Sequence, residues 1–575
     1  MIGLISATAA GAAACERLAA AWPDRTRVYA PPGVRDVREA VERAFAECGQ
    51  LVCFLATGAT VRLVAPLLRD KSGDPGVVCV DEAQRFAVAL LGGHAGGANT
   101  LAHQVADALP GCTAVVTTAT DAADVPGLDT LGWPVEGAVA AVSRALLDGA
   151  PVALRADARW PLPALPPNVA EDAAREPAAD AVLHLTDRTD VPSSPTSAVL
   201  RPPSLTVGVG ASKGVPEEEV LGLVEGALEG AGLSVRSVAE LATVEAKAAE
   251  PGLLAAAGTL GVPLRAYPAG ALAQVAVPNP SQAPREAVGT PSVAEAAALY
   301  AAGGGELLVP KRKSAPQGRA AMATAAVARR APRGRLAVVG LGPGARDLLT
   351  PRAREELRRA SVLVGLDQYV EQVRDLLRPG TRVLESGLGA EEERARTAVA
   401  RAREGHAVAL IGSGDAGVYA MASPALAEAS RDIDVVGVPG VTAALAASAL
   451  LGAPLGHDHA SVSLSDLHTP WEVIERRVRA LAEADIVVTF YNPRSRGRDW
   501  QLPKALGILA EHRDAGTPVG VVRSATRADE RTTLTTLGAL DPATVDMMTV
   551  VTVGNTATRE IAGRMVTPRG YRWQS

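Results

Sequence analysis

Apolar runs of strand length alternate with helical patterns over the first quarter of the chain. The runs GLISA, LVCFLA, VVCV and AVVTTA read as strands, whereas REAVERAFAECG and ANTLAHQVADALPG repeat apolar residues at helical spacing. This alternation predicts a parallel sheet covered by helices, extending from Met1 to about Gly149.

The pattern changes three times further along the chain. It fades between Pro151 and Pro203, where we expect a small or irregular domain followed by a linker. A second α/β unit begins at Ser204, and the cationic stretch from Lys311 to Arg335 is typical of a solvated linker, with a polyanion site as the alternative. The remaining residues suffice for two further lobes. We predict a multidomain α/β protein with open, mostly parallel sheets, divided into residues 1–149, 150–203, 204–313, 314–334, 335–455 and 456–575.

Composition narrows the class of protein. Hydrophobic residues make up 48% and charged residues 21% of the 575 positions, which is globular, and a formal charge of −6 with 3% aromatic residues argues against a nucleic-acid binder. The five cysteines form no CxxC pair, which favours reduced thiols in a cytoplasmic protein. The uncharged stretch from Val435 to Gly456 is interrupted by proline and glycine, so we expect a strand, a turn and a short helix there rather than a membrane span.

A glycine-rich loop follows a strand in RLAVVGLGPGARDLLT. Its spacing satisfies the G-x-G-x-x-A pattern of dinucleotide-binding proteins, with Asp367 as the ribose-binding acid, and so allows an NAD(P)-dependent reductase. The helix start argues against this class. Thr350 and Pro351 predict a helix beginning about eight residues after Gly342, whereas a Rossmann helix begins within its loop. Pro343 also removes an amide donor where the phosphate would lie.

Three later segments repeat the arrangement of a buried strand that ends in a turn. The first turn carries Asp415, and the second contains Pro439-Gly440 with Thr442 as the expected helix cap. The third ends at Asn492-Pro493. Turns of this kind line the carboxyl edge of open parallel sheets, where α/β proteins bind their ligands.

Together and in this order, GLGPGARDLLT, GSGDAGVYAMA, VPGVTAA, SLSDLHTPW, FYNPRSR and VTVGNTATR closely resemble the motifs of tetrapyrrole methyltransferases of cobalamin biosynthesis, specifically the precorrin-3B C17-methyltransferases, from Arg335 to about Trp573. The resemblance implies two lobes with S-adenosylmethionine between them, a precorrin or cobalt-precorrin substrate, and a homodimer. The segment GSGDAG departs from the superfamily pattern in having alanine where proline is usual. The residues matched to the cofactor site are Gly342, Pro343, Gly414, Asp415, Ala416, Thr442 and Ala443.

The chemistry of this family needs no nucleophilic triad, because a sulfonium methyl group is already activated and positioning supplies most of the acceleration. The ring contraction and lactone formation that the resemblance also implies would use an acid or base. Asp466 and His468 are the candidates, with a capping aspartate and a surface histidine as the alternative. His457 and His459 lie nearby, but methyl transfer needs no metal and we expect none. The candidates for binding substrate carboxylates, unless they form only a flexible surface loop, are Arg494, Arg496 and Arg498.

The first half carries a separate set of motifs. In LLGGHAGGANTLAHQVADAL, His94 lies in a glycine turn and Asn99 near a helix start, which fits either a close backbone approach to a ligand or an ordinary capped helix. With TGATVRLVAPLLRDK, VGVGASKGVPEEEV and SVAEAAALYAAGGGELLVPK, it resembles cobalt-precorrin-5A hydrolase from Met1 to about Lys313. The resemblance implies opening of a ring-A lactone with release of acetaldehyde. The catalytic candidates matched to that family are Lys213, Lys247 and Glu295, with Glu250 beside them.

No GxSxG elbow occurs in a strand-turn-helix setting in the sequence, so the hydrolase prediction depends on the resemblance rather than on a visible nucleophile. The leading hypothesis is a bifunctional enzyme of corrin-ring synthesis. The alternatives are an NAD(P)-dependent reductase and a methyltransferase whose first half only binds the tetrapyrrole.

Overall fold

The computed structural model describes residues 1–29, 36–70, 73–171, 179–429, 431–495 and 497–570. The chain folds into two compact units. The first unit consists of Met1–Ala158 and Leu165–Pro332, and the second consists of Arg159–Ala164 and Arg333–Ser575.

The first sheet of the first unit matches the predicted alternation of strands and helices. Its elements are β1 (Ile2–Ser6), α1 (Ala9–Ala21), β2 (Thr26–Val28), α2 (Val37–Glu47), β3 (Gln50–Phe54), α3 (Thr57–Val64), β4 (Gly76–Val80), β5 (Phe86–Leu91), α4 (Ala98–Ala108), β6 (Thr113–Val115) and α5 (Ala119–Ala122). The strand order is β2-β1-β3-β4-β5-β6, and the β4–β5 pair is antiparallel. Both faces are buried, since Leu4 packs beside α1 and α4 while the adjacent Ile5 packs beside α2.

A second sheet occupies the stretch predicted to be a small or irregular domain followed by a linker. Its elements are β7 (Val135–Gly137), α6 (Val139–Asp148), β8 (Val152–Ala156), β9 (Val169–Glu171), β10 (Ala181–Leu185) and β11 (Ser197–Leu200), in the order β7-β11-β10-β8-β9. These strands have three to five residues each, too few for their periodicity to stand out between prolines. The sheet also includes β7, which lies within residues 1–149, the stretch predicted to form the first domain.

The third sheet corrects the predicted linker at 314–334. Its elements are β12 (Leu205–Ala211), α7 (Glu217–Glu229), β13 (Val238–Val244), α8 (Pro251–Leu260), β14 (Leu264–Tyr267), α9 (Ala269–Ala273), α10 (Gln282–Val288), α11 (Val293–Ala301), β15 (Glu306–Lys313) and β16 (Ala323–Arg329). The order is β14-β13-β12-β16-β15, with β16 antiparallel to both neighbours. Strand β16 is buried on both faces, with Val327 in the core beside α7 and Ala326 against α11. Its alanines allow this close packing, whereas the positive charges on either side of them made the sequence resemble a linker.

The first lobe of the second unit contains a fully parallel sheet, as predicted. Its elements are β17 (Arg335–Gly340), α12 (Pro351–Arg359), β18 (Val362–Leu366), α13 (Asp367–Glu371), β19 (Arg382–Ser386), α14 (Glu391–Arg403), β20 (Ala407–Gly412), α15 (Ala422–Glu428), β21 (Asp434–Val438) and α16 (Ala443–Leu451). The order β19-β18-β20-β17-β21 brings the carboxyl ends of β17, β20 and β21 to one edge. The stretch 435–456 forms β21, a turn and α16, and no helix among the described residues is long and apolar enough to cross a membrane.

The second lobe contains a mixed sheet. The elements are β22 (Gly452–Ala453), β23 (His459–Ser463), α17 (Trp471–Glu483), β24 (Val487–Tyr491), α18 (Gln501–Ala510), β25 (Pro518–Arg523), β26 (Arg531–Thr536), β27 (Thr549–Val553), β28 (Arg559–Ile561) and β29 (Arg564–Val566). In the order β23-β24-β27-β25-β26, the β23–β24 pair is parallel and the other three pairs are antiparallel. The fold class is confirmed, but this sheet departs from the mostly parallel form because a short connection joins β25 to β26 as neighbours.

Candidate functional site

Three glycine loops meet at the carboxyl edge of the parallel sheet in the second unit. The loop after β17 and the turn after β20 are joined by two backbone hydrogen bonds, from Gly342 N to Gly414 O at 3.0 Å and from Gly414 N to Gly342 O at 2.8 Å. A Cβ atom at Gly340 would lie 2.7 Å from Gly414 O and 2.8 Å from Gly440 N. This position therefore requires glycine, because the backbones of the three loops meet there.

Asp415 organises two of these loops. Its Oδ1 accepts a hydrogen bond from Gly417 N at 2.8 Å, and its Oδ2 accepts one from Gly440 N at 3.0 Å. The carboxylate therefore fixes the turn after β20 against the turn after β21. A cavity of about 340 Å³ adjoins this turn and is lined mainly by apolar side chains and backbone, in the volume range of small-molecule sites. The residues lining it include Val338, Asp415, Ala416, Leu426, Val435 and Pro439.

The start of α16 is capped from the second lobe. Thr442 occupies the N-cap position, as predicted, but its side chain makes no capping hydrogen bond. Instead, the hydroxyl of Tyr491 accepts a hydrogen bond from Ala444 N at 2.8 Å and lies 2.6 Å from Thr442 Oγ1. Burial raises the pKa of Tyr491, so this hydroxyl keeps its proton near neutral pH. The Tyr419 ring packs against Tyr491 with centroids 5.2 Å apart.

Arg527 joins the second lobe to the loop that contains Pro343. Its Nε donates to the carbonyl oxygen of Pro343 at 2.9 Å, and Ala345 N donates to Thr526 Oγ1 at 3.2 Å. A Cβ atom at Gly344 would lie 2.5 Å from Arg527 Cγ, so the arginine needs glycine at this position. Tyr491 was not predicted from the sequence as a member of this site. The FYNP motif that contains Tyr491 was the available signal.

The helix after this loop begins where the sequence predicted. Helix α12 starts at Pro351, and Thr350 Oγ1 accepts a hydrogen bond from Ala353 N at 3.2 Å. The intervening loop contains a 3-10 helix at Arg346–Leu348. The amides of α12 are therefore displaced from the glycine loop, which argues against the dinucleotide-binding alternative.

The predicted acid–base and arginine residues lie at the ends of β23 and β24, which are parallel neighbours. Asp466 Oδ2 accepts a hydrogen bond from Gln501 Nε2 at 3.1 Å, and His468 is exposed. Arg494 Nη1 donates to the carbonyl oxygen of Ala543 at 2.7 Å. Arg496 lies outside the described residues.

Arg498 corrects the expectation of a substrate-binding fork. The residue is buried, and its Nη1 donates to the carbonyl oxygens of Leu464 at 3.0 Å and Asn492 at 2.8 Å. Burial lowers the pKa of Arg498 from its usual value. The guanidinium thus links the loops after β23 and β24. It stabilises this edge of the sheet from below rather than lying on its surface.

In the first unit, two predicted cations lie at the ends of neighbouring parallel strands. Lys213 follows β12 and is exposed, while Lys247 follows β13 and pairs with Glu250, with Nζ 3.6 Å from Oε2. The Oε1 atom of Glu250 accepts a hydrogen bond from Gly214 N at 2.6 Å. Glu250 therefore brings the two lysine-bearing loops together at one edge of the sheet.

Glu295 has a different environment from the one expected for a catalytic residue. It is fully buried on α11 and accepts hydrogen bonds from Asn279 N at 3.0 Å and Lys311 N at 2.9 Å. These bonds tie the loop before α10 to strand β15. The contacts assign Glu295 a structural role, which replaces the catalytic one expected from the sequence.

Among the described residues, no group of three His, Cys, Asp or Glu side chains could hold a metal ion. The Nδ1 atom of His457 is occupied within its own turn, because it accepts a hydrogen bond from the adjacent Asp458 N at 2.7 Å.

Comparison with known proteins identifies the class of both units. Residues 335–541 match the family of Tetrapyrrole (Corrin/Porphyrin) Methylases, residues 39–121 match Cobalamin synthesis G N-terminal, and residues 205–328 match Cobalamin synthesis G C-terminus. A Salmonella typhimurium protein named "Probable cobalt-factor III C(17)-methyltransferase" is 48% identical over 239 residues, which cover 41% of this chain and 99% of that protein. A "Precorrin-3B C(17)-methyltransferase" of Sinorhizobium sp is 41% identical over 250 residues, covering 41% of this chain and 97% of that protein.

Among solved structures, that of the methyltransferase CobJ is 38% identical, covers 41% of this chain and all of that one, and has a TM-score of 0.39. The chain belongs to the tetrapyrrole methylase family, and its first unit carries the two cobalamin synthesis G domains. S-adenosylmethionine is the cofactor of this family, as expected from the sequence. The site fits such a group, because the three loops adjoin a mainly apolar cavity of about 340 Å³, a volume in the range of small-molecule sites.

Proposed function

We propose that the second unit methylates C17 of precorrin-3B or of its cobalt-containing counterpart and contracts the macrocycle. The observation that carries this proposal is the glycine junction of three loops, tied to the second lobe by Tyr491 and Arg527. The names of relatives that this region matches almost from end to end supply the position of methylation.

The cofactor, when bound, supplies an electrophilic methyl group on sulfur. The chain's own residues need only hold this group in line with a nucleophilic ring carbon. Asp415 sets the separation of two loops, and Tyr491 sets the position of the α16 start, so both act by positioning the cofactor-binding backbone. Asp466 lies at the neighbouring edge, where its second carboxylate oxygen can serve as an acid or base in ring contraction.

We further propose that the first unit opens a lactone of the ring-contracted product and releases acetaldehyde. The support is the pair of cobalamin synthesis G domains and the convergence of Lys213 and Lys247 at one sheet edge. Cations at this edge suit a substrate that bears carboxylates, and they can stabilise the oxyanion of lactone hydrolysis. A first unit that only binds the tetrapyrrole is the alternative.

Calorimetric titration of the purified chain with S-adenosylhomocysteine, NAD and NADP in parallel tests the cofactor site. We expect saturable binding of S-adenosylhomocysteine alone, lost in Asp415→Ala and Thr442→Trp variants. Binding of a nicotinamide nucleotide instead would refute the methyltransferase. For the hydrolase, the Lys213→Ala/Lys247→Ala double variant is expected to lose lactone opening, and full retention would remove these lysines from the site.

We also propose a homodimer in the cytoplasm. Five free cysteines, four of them buried, support a reducing compartment. Sedimentation equilibrium is expected to give twice the chain mass, and a monomer at micromolar concentration would contradict the dimer.

A further inference from the structure

A polar network surrounds His94 in the first unit, at the edge where the parallel neighbours β5 and β6 end. Both ring nitrogens of His94 contact carboxylates. Nε2 lies 2.9 Å from Asp121 Oδ2, and Nδ1 lies 3.2 Å from Asp129 Oδ1. Asn99 and Thr118 complete the network, since Asn99 Nδ2 donates to Thr118 Oγ1 at 2.8 Å.

Asp121 is the member of this network that faces solvent. Its Oδ2 accepts hydrogen bonds from His94, from Asn99 Nδ2 at 2.8 Å and from Thr118 Oγ1. Within the described part of the chain, its Oδ1 receives no hydrogen bond from the protein, and the side chain is 48% exposed against 13% for His94. One carboxylate oxygen is thus anchored by three donors while the other is open to a water molecule.

Two glycines allow the network to form. A Cβ atom at Gly127 would lie 2.8 Å from His94 Nδ1, and one at Gly93 would lie 2.7 Å from Asn99 Oδ1. The network therefore depends on glycine at both positions. This explains the glycine that immediately precedes His94 in the sequence.

The geometry excludes two simpler roles. The carboxylates contact opposite nitrogens of one ring, so His94, Asp121 and Asp129 cannot converge on a metal ion. One imidazolium and two carboxylates carry a net charge of −1, which repels the carboxylates of a tetrapyrrole rather than binding them. Proton transfer remains as the chemistry that an anchored, half-exposed carboxylate beside a histidine can perform.

We propose that Asp121 is the base that activates water for lactone opening, with His94 and Asp129 as its positioning residues. This proposal rests on the hydrolase function proposed above. A water proton moves to Asp121 Oδ1 while the water oxygen bonds to the acyl carbon. The ester C–O bond then breaks, and Asp121 returns the proton to the departing alkoxide, giving a carboxylic acid and an alcohol. The C–C bond between the alcohol carbon and the ring then breaks, so that this carbon leaves with its methyl group as acetaldehyde and the hydroxyl proton replaces it on the ring carbon.

The charges of the network keep Asp121 ionised. Burial alone would raise the pKa of Asp121, but the hydrogen bonds from Thr118 and His94 outweigh it and lower the pKa. The hydrogen bond to Asp129, followed by that to Asp121, raises the pKa of His94 to about 9. At neutral pH the histidine is therefore cationic and Asp121 is ionised, ready to accept a proton. Replacing His94 by a neutral residue removes the cation and raises the pKa of Asp121.

The test uses the full chain and the ring-contracted lactone, with acetaldehyde release followed by a coupled alcohol dehydrogenase and NADH. Asp121→Asn is expected to lower kcat by at least about 100-fold with KM changed less than about threefold. In His94→Gln, the acid limb of the pH profile of kcat is expected to move to higher pH. The matched control is His103→Asn on the exposed face of α4, which is expected to behave as the wild type.

A readout without substrate complements the assay. By NMR, the pKa of the His94 ring is expected to be about 9 in the wild type and to fall towards 6.5 in Asp129→Asn. Circular dichroism checks the fold of each variant. If Asp121→Asn folds and keeps full activity, or if the His94→Gln profile does not move, the role of Asp121 is refuted while the hydrolase stands. If the wild-type chain leaves the lactone intact, both the hydrolase and this proposal are refuted.

Discussion

The proposed cofactor site depends on the hydroxyl of Tyr491, which accepts a hydrogen bond at the start of α16. Tyr491→Phe removes one oxygen and leaves the ring packed against Tyr419. Ala444 is buried, so its backbone N–H loses its acceptor and gains no water in exchange. Leaving such a donor unpaired costs about 1–3 kcal/mol. We therefore expect the free energy of unfolding of the second unit to fall by about this amount.

The same change tests where the cofactor binds. If the start of α16 contacts the cofactor, loss of about 1.4 kcal/mol in positioning raises the Kd for S-adenosylhomocysteine about tenfold. Calorimetry measures the Kd and urea unfolding measures the stability. Tyr369→Phe on α13 is the matched control, because no hydrogen bond of its hydroxyl occurs among the described residues. A less stable variant with unchanged Kd would show that Tyr491 supports the fold only, and that α16 does not form the cofactor site.

Three further changes give distinct outcomes. Gly340→Ala is expected to abolish S-adenosylhomocysteine binding, since its Cβ atom would overlap Gly414 O. The control is Gly387→Ala, whose Cβ atom would meet nothing within 4 Å and which is expected to bind normally. Equal affinities of the two variants would contradict the role of the glycine junction. Arg498→Ala is expected to lower the free energy of unfolding by about 2–3 kcal/mol in urea denaturation, because the buried carbonyl of Leu464 and the partly buried carbonyl of Asn492 lose their donor. A variant altered only in its KM for substrate would instead support a role in binding substrate. The raised pKa of His94 predicts a contribution to the stability of the first unit of up to about 3 kcal/mol, which is fully present below pH 6.5 and is lost as pH rises through about 9. The free energy of unfolding, measured between pH 6 and 10 in the wild type and in His94→Gln, checks this prediction. Equal dependence on pH in the two proteins would contradict it.

The parts of the fold that follow from local pattern were predictable. The strands that end in glycine turns and the start of α12 at Pro351 follow from periodicity and capping residues within a few positions of each other. Strand β16 was not predictable, because its alanines carry little hydrophobic signal until helices are known to cover both faces. The strands of the small sheet around β10 were not predicted for a related reason, since they are short and lie among prolines.

The candidate site was predictable in its backbone and less so in its side chains. The turns at Gly342 and Asp415 lie where the motifs put them. Tyr491 caps a helix from a distant strand, and the long side chain of Arg498 turns inward to backbone carbonyls. Both arrangements depend on tertiary packing that spacing along the chain does not encode.

Incubation of the chain with S-adenosylmethionine carrying a 13C-labelled methyl group and with precorrin-3B or cobalt-factor III, followed by 13C NMR of the product, tests the proposed methyl transfer. We predict one labelled methyl group on C17 of a ring-contracted macrocycle, and no labelled product from the Gly340→Ala variant. A label at another ring carbon, or an unlabelled macrocycle from a chain that binds S-adenosylhomocysteine, would contradict the proposed function.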